Sequence, residues 1–282
     1  MDVLVLGGGP AGVSAAIYAA RAGKSVTLLY MDMGALGRAE RIDNFYGSPT
    51  ITGPALFDAG LQQARDLGVT VKKTQVLSLG FGMDGLLAET SEGDLEAKAV
   101  VLATGTQRKA PKIPGLQDFD GAGVSYCAIC DGFFCRGKEV AVLGAGEYAL
   151  HEAQVLAPLA SKVTLLTNGE DAPVCEFPVD TRPIAALEGD NGILHQVRFH
   201  DGEVLPVTRL FVALGTAGSG DLAKKAGILT EADKILVDDN MATNIPGLFA
   251  AGDCTGGLLQ VFKAVSQGSQ AGMAAVKYLN SL

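Results

Sequence analysis

Two Rossmann-like folds in one α/β chain are predicted by three observations. An apolar run over residues 3–6 leads straight into Gly7-Gly8-Gly9-Pro10-Ala11-Gly12 and an alanine-rich stretch to about Arg21. The pattern returns at Glu139-Val140-Ala141-Val142-Leu143, followed by Gly144-Ala145-Gly146-Glu147-Tyr148-Ala149. Other short apolar runs end on turns, at Ala103-Thr104-Gly105, Leu214-Gly215 and Ala251-Gly252-Asp253. Continuous apolar strands alternating with helices are the mark of a parallel sheet covered on both faces.

Taken in order, the first turn has the form of a dinucleotide-binding fingerprint. Gly7 permits the tight turn, Gly9 lets a pyrophosphate approach the backbone, Gly12 lets helix and strand pack closely, and the helix N-terminus offers unpaired N–H groups. A glycine-rich turn without a ligand is the alternative, and the position between strand and helix argues against it. The second strand covers residues 25–30; the acid that usually meets a ribose is expected at its end, where Tyr30 and Met31 stand with Asp32 late. A pair of strands is expected within residues 69–89, broken by Gly80, Gly82 and Gly85, before the strand ending at Thr104 and Gly105. The second fingerprint is followed by strands near residues 163–167, 210–213 and 248–250, and by a last helix from about Gln260 to Leu279.

Between the two folds lies Cys127-Ala128-Ile129-Cys130-Asp131-Gly132. Two cysteines at this spacing close and reopen a disulfide without refolding, and one thiolate is commonly acidified by its surroundings. Half of a structural zinc site is the alternative; zinc wants four ligands, and the sequence has no second Cys-x-x-Cys and no paired histidines. No metal is therefore expected. Cys135, Cys175 and Cys254 read as inert fillers, and His151, His195 and His200 as packing or surface residues.

With 282 residues, 48% hydrophobic content and 37 glycines, the chain is long enough for one large or two modest cores. A net charge of -9 argues against nucleic acid, whose phosphates need an excess of Lys and Arg. No apolar run approaches the roughly 18 residues of a membrane helix. The sequence enters a strand with no basic leader, so a cytoplasmic location is expected, with the five cysteines serving redox chemistry rather than stapling.

The glycine turn at residues 7–12, Ala103-Thr104-Gly105, the cysteine motif at 127–132 and Phe249-Ala250-Ala251-Gly252-Asp253, in this order and spacing, resemble the low-molecular-weight flavin thioredoxin reductases over essentially the whole chain. The resemblance implies an FAD domain in two pieces, residues 1–115 and 242–282, with the Cys-x-x-Cys-bearing domain, 116–241, inserted between them, and a homodimer. It places Gly7, Gly9, Pro10, Ala11 and Gly12 on the FAD pyrophosphate, and Val76, Thr104 and Gly105 near the adenosine. Asn44 falls by the flavin and Asp253 on the ribityl chain. Gln260 and Val261 set the last helix's N-terminus at the flavin ring, where the dipole favours negative charge. The family's arginine before Gln260 is Leu259 here, and its Gly-Gly-Gln-Leu is Met33-Gly34-Ala35-Leu36, so those contacts are lost. Cys130 is implied to face the flavin, Cys127 to attack the partner, and Asp131 to serve as acid and base for the thiols, a task a buried carboxylate manages if its pKa is raised, with an ordinary helix N-terminal acid as the alternative.

The second fingerprint departs from the family. Where a His-Arg-Arg run holds the 2′-phosphate of NADPH, this chain has Thr167-Asn168-Gly169-Glu170-Asp171, with no Lys or Arg from Val163 until Arg182. Glu147 brings an anion to the phosphate turn, and Tyr148 a bulky side chain expected to obstruct it. The pattern is closest to the ferredoxin-dependent variant of the family, which implies reduced ferredoxin as donor and thioredoxin as acceptor. Because ferredoxins are acidic, Arg38 with Arg41, and Arg108, Lys109 with Lys112, are expected docking clusters. An NAD(P)H-dependent thioredoxin reductase, a flavin dithiol oxidase using oxygen, and a non-enzymatic flavoprotein are the other readings.

Overall fold

The computed structural model describes residues 1–105, 111–232 and 234–282. In chain order its elements are β1 (Val3–Leu6), α1 (Pro10–Arg21), β2 (Val26–Tyr30), α2 (Gly53–Asp66), β3 (Thr70–Lys73), β4 (Val76–Phe81), β5 (Leu86–Thr90), β6 (Leu95–Ala97) and β7 (Ala99–Leu102). There follow β8 (Val124–Ser125), α3 (Ala128–Asp131), β9 (Glu139–Leu143), α4 (Glu147–Leu156), β10 (Lys162–Leu166), β11 (Val179–Asp180), β12 (Ile184–Asp190), β13 (Ile193–Phe199), β14 (Val204–Pro206) and β15 (Arg209–Val212). The chain ends with α5 (Ser219–Lys225), β16 (Thr230–Glu231), β17 (Lys234–Ile235), β18 (Leu248–Ala250) and α6 (Val261–Leu279).

These fall into two compact units, Met1–Arg108 with Gly218–Leu282, and Lys109–Ala217. The second boundary differs from the expected 241/242 because residues 218–241 pack with the first unit. Ser219 Oγ donates to the Gly105 carbonyl at 2.9 Å, and Lys225 Nζ to the Leu77 carbonyl at 3.0 Å.

The first unit is a parallel sheet in the order β18-β7-β1-β2-β3, with a β4-β5-β6 antiparallel meander beside it. Val3, Val5, Leu28, Val101 and Phe249 are buried with α1 and α6 residues such as Ala15, Ala19, Ala271 and Ala275. Residues 69–89 thus hold three strands, of which β3 joins the parallel sheet while β4 and β5 pair with each other.

The approach of α6 to α1 depends on two glycines. A Cβ on Gly268 would lie 2.1 Å from the Ala11 carbonyl oxygen, and one on Gly272 2.5 Å from that of Ala15. Gly268→Ala should force the helices apart and cost about 1–3 kcal/mol, lowering Tm by several degrees in a thermal melt. An unshifted Tm would show that the two backbones are not in contact.

The second unit is a parallel sheet, β11-β10-β9-β15-β8, with a β12-β13-β14 antiparallel sheet. Its core gathers Val124, Ala141, Leu143, Leu166, Leu194, Val197, Phe199 and Leu210. Among the described residues, no helix is long and apolar enough to cross a membrane.

Candidate active site

The first glycine turn leaves the carboxyl end of β1, and the turns after β7, which pairs with β1, and β18, which pairs with β7, leave the same edge of the parallel sheet. Such an edge is where open α/β sheets place ligands. Gly7 has φ of 121°, and a Cβ there would sit 2.2 Å from the Ala103 carbonyl oxygen. One on Gly12 would sit 1.8 Å from the Gly7 carbonyl oxygen. A Cβ on Gly9 would meet no atom within 4 Å, so open space borders the backbone there. Gly9 caps α1 without a side-chain hydrogen bond, Pro10 stands in the first turn, and no acid joins it, so the helix's first N–H groups remain available to an anion. The Thr104 hydroxyl is buried on the same edge with no hydrogen-bond partner. A buried polar atom left so is costly unless something else satisfies it. These features fit a bound dinucleotide.

Sequence-distant residues meet here. The Asn44 side-chain amide donates to Gln260 Oε1 at 2.9 Å across 216 residues, and Gln260 is the N-cap of α6, next to Val261. Asp253 follows Gly252, whose backbone lies against Ala11; a Cβ on Gly252 would be 2.8 Å from the Ala11 Cβ. Burial pushes the Asp253 carboxyl up, while Lys263 pulls it down. Lys263, unmarked by sequence reasoning, donates to the Gly252 carbonyl at 2.8 Å and so fixes the turn that presents Asp253. Val76 opens β4 three residues past the carboxyl end of β3, which lies in the same parallel sheet. Asp32 stands beyond β2 and accepts from the Gly34 N–H at 2.8 Å.

In the second unit Cys127 and Cys130 form a disulfide with Cα atoms 5.3 Å apart. The pair sits past the carboxyl end of β8, an edge strand parallel to β15. Cys127 is buried at 3% exposure and Cys130 is exposed. The Cys130 N–H points at Cys127 Sγ, 3.2 Å away. Ser125 ties the turn together: its Oγ accepts from the Cys127 N–H at 3.2 Å and donates to Asp131 Oδ2 at 2.6 Å. Arg209 Nη1 lies 3.8 Å from the same carboxylate, whose side chain is 34% exposed. The expectation of a buried Asp131 is thus corrected: the residue stands at a rim and keeps one face in water.

Two further residues went unmarked. Phe133 and Phe134 are 69% and 58% exposed directly behind the motif, and Ile129 within it is 52% exposed. Arg136 and Arg209 lie over the two rings at 5.9 and 5.8 Å. Consecutive large apolar residues in a short helical turn cannot all face inward, which was the available signal.

Two of the remaining thiols are held back. Burial pushes the Cys135 thiol up and that of Cys254 up to about 12, so neither forms a thiolate readily.

At the second glycine turn Glu147 is exposed in the first turn of α4. Tyr148 is 1% exposed, so it is packed inward and does not stand over the turn as the expected obstruction. Arg182 is fully engaged: Nη2 donates to Asp180 at 2.7 Å, Nη1 to Asp201 at 3.1 Å, and the guanidinium lies 4.0 Å from the Phe199 ring centroid. Of the expected docking clusters, Arg108 and Lys109 lie outside the described residues, and Arg41 pairs with Asp43 at 2.9 Å.

The chain matches the family described as pyridine nucleotide-disulphide oxidoreductase over residues 1–181 and 176–268. It is 33% identical to the thioredoxin reductase of Aquifex aeolicus over 99% of this chain and 93% of that protein. The crystal structure of the atypical thioredoxin reductase TRi from Desulfovibrio vulgaris Hildenborough superposes with a TM-score of 0.93 at 39% identity, covering 99% of this chain and 98% of that one. A ferredoxin-flavin thioredoxin reductase from Clostridium acetobutylicum superposes with a TM-score of 0.75 at 30% identity, covering 100% and 98%.

Proposed function

Because the chain belongs to the pyridine nucleotide-disulphide oxidoreductase family, in its low-molecular-weight thioredoxin reductase branch, we propose that it carries electrons from reduced ferredoxin, by way of FAD and the Cys127–Cys130 disulfide, to thioredoxin. The observation behind the choice of donor is the state of the second glycine turn. Glu147 places an anion where a phosphate would rest, and the first cation after β10, Arg182, is already committed to Asp180 and Asp201. The 2′-phosphate of NADPH needs free cations in reach.

The residues of the first unit fit FAD: Gly7, Gly9, Pro10, Ala11 and Gly12 hold its pyrophosphate, Thr104, Gly105 and Val76 the adenosine side, and Asp253, Asn44, Gln260 and Val261 the flavin end. FAD, when bound, converts the single electrons of ferredoxin into the pair that a disulfide takes up. From a ferredoxin near −400 mV to thioredoxin near −270 mV the drop is about 130 mV, on the order of 6 kcal/mol for two electrons.

Opening Cys127–Cys130 consumes two electrons and two protons. Cys127 is the exchanging thiolate, since the Cys130 N–H favours negative charge on its sulfur. At 3% exposure it must first come to the surface. Its thiolate attacks the thioredoxin disulfide and forms a mixed disulfide; Cys130 then closes on Cys127 and expels reduced thioredoxin. Asp131, on the water side of the turn and bonded to Ser125, accepts and returns the thiol proton. Ile129, Phe133 and Phe134 offer the apolar ground on which thioredoxin lands. A homodimer and a reducing cytoplasm complete the reading, the latter supported by three cysteines outside any disulfide.

An anaerobic spectrum tests the donor. Reduced ferredoxin should bleach the visible flavin absorbance within the mixing time of turnover, and NADPH or NADH should leave it unchanged. Rapid bleaching by NADPH would return the chain to the nucleotide-dependent members, and peroxide formation from a small dithiol would make it an oxidase.

A further inference from the structure

We propose that Glu152 is a positioning residue for the redox disulfide, holding the Cys127 end of the turn and keeping the pair strongly reducing. Glu152 lies on α4 and is 1% exposed. Its Oε2 accepts the Ala128 N–H at 2.8 Å, and its Oε1 lies 3.4 Å from His151 Nδ1. Ala128 is the first residue of α3, immediately behind Cys127. The carboxylate therefore reaches across 24 residues to the amide beside the buried sulfur.

A carboxyl group taken so far from water is costly unless its bonds repay it, and α4 does not need this one for its own backbone. A leucine at that place would pack without the cost. What Glu152 does change is the donor set around Cys127. The Cys130 N–H is aimed at the sulfur, the Cys127 N–H is taken by Ser125, and the Asp131 N–H by the Cys127 carbonyl at 3.1 Å. Glu152 takes the Ala128 N–H, so a buried carboxylate stands against the amide next to the Cys127 sulfur. Backbone N–H groups and the absence of nearby acids stabilise a thiolate, and a stabilised thiolate makes a disulfide easier to reduce and so more oxidising. Standing an acid behind Cys127 acts in the opposite sense. A pair that must reduce thioredoxin gains from that.

The test reads the disulfide itself. In full-length, FAD-loaded wild type, Glu152→Gln and Glu152→Leu, Cys127–Cys130 is equilibrated with reduced and oxidised dithiothreitol, which supplies two electrons and two protons and closes to its cyclic disulfide. Free thiols are then counted by alkylation and mass. Glu152→Leu should shift the equilibrium about tenfold toward the dithiol, about 30 mV more oxidising. Glu152→Gln, which keeps an acceptor oxygen, should shift it less in the same direction. The Cys127 thiol, followed in a Cys130→Ser background, should titrate lower in both. Should Glu152→Leu fail to fold, Glu152→Gln decides. An equilibrium equal to wild type in folded Glu152→Gln, or one moved toward the disulfide, overturns the proposal. The proposal rests on Cys127–Cys130 as the working disulfide, and thioredoxin reduction by Cys127→Ser tests that premise separately, since exchange with dithiothreitol needs neither ferredoxin nor thioredoxin.

Discussion

Replacing either cysteine of the motif should bring thioredoxin reduction down to the uncatalysed background. Cys127→Ser leaves no thiolate to attack, and Cys130→Ser leaves none to resolve the mixed disulfide, so thioredoxin stays trapped on Cys127. Cys135→Ser, Cys175→Ser and Cys254→Ser should keep activity of wild-type order. Two of those thiols are buried with their pKa pushed up, and none lies in a disulfide. The measurements are insulin-coupled thioredoxin reduction and gel-shift detection of the trapped adduct. The two active-site variants should differ spectroscopically as well. Removing Cys127 leaves the exposed Cys130, whose thiolate should shift the flavin spectrum. If Cys127 alone does this, the two roles are reversed. Full activity in either variant would falsify the dithiol relay.

The second large effect separates cofactor binding from folding at the first glycine turn. Gly12→Ala drives a methyl group to 1.8 Å from a backbone oxygen, and neither partner is a flexible side chain. The strand, turn and helix must move apart, at a cost of about 3 kcal/mol or more. The expected protein is colourless and melts well below wild type. Gly9→Ala differs: its Cβ meets nothing within 4 Å, and its φ of -74° suits alanine. The apoprotein should melt as wild type does, yet bind FAD at least about tenfold more weakly, because a methyl group occupies the approach of the pyrophosphate. Flavin fluorescence titration of the apoprotein measures this. A Gly9→Ala protein that purifies yellow with unchanged affinity would mean that the pyrophosphate does not lie over that turn.

Much of the fold was legible because its parts are local. A tight turn at Gly7 and a close approach at Gly12 leave glycine in the sequence, and a strand buried on both faces leaves an unbroken apolar run such as residues 3–6 or 99–102. Contacts made across the chain left no such trace. Asn44 meets Gln260 from 216 positions away, and Glu152 reaches Ala128 from a different helix. Ser125 is an ordinary strand residue until its hydroxyl is seen between Cys127 and Asp131. The division after residue 217 also escaped, because α5 follows the second unit in sequence but bonds to Gly105 and Leu77. Tyr148 misled for a related reason: bulk was legible, and the direction of the side chain was not.

The Arg182 cluster also sets how hard it would be to build a site for the 2′-phosphate of a nucleotide donor on this chain. Its guanidinium holds its proton more tightly through Asp180 first and Asp201 second, and the Asp180 carboxyl is lowered by the same bonds. A designer grafting basic residues onto residues 167–171 would be adding them beside a locked ion network and the exposed acid at Glu147. Each single addition is opposed by those acids, and removing Asp180 first takes from Arg182 the nearer of its two carboxylate partners. If the donor is the proposed ferredoxin, gaining a nucleotide donor therefore takes a coordinated change of several positions, and a laboratory selection run one substitution at a time should stall on it.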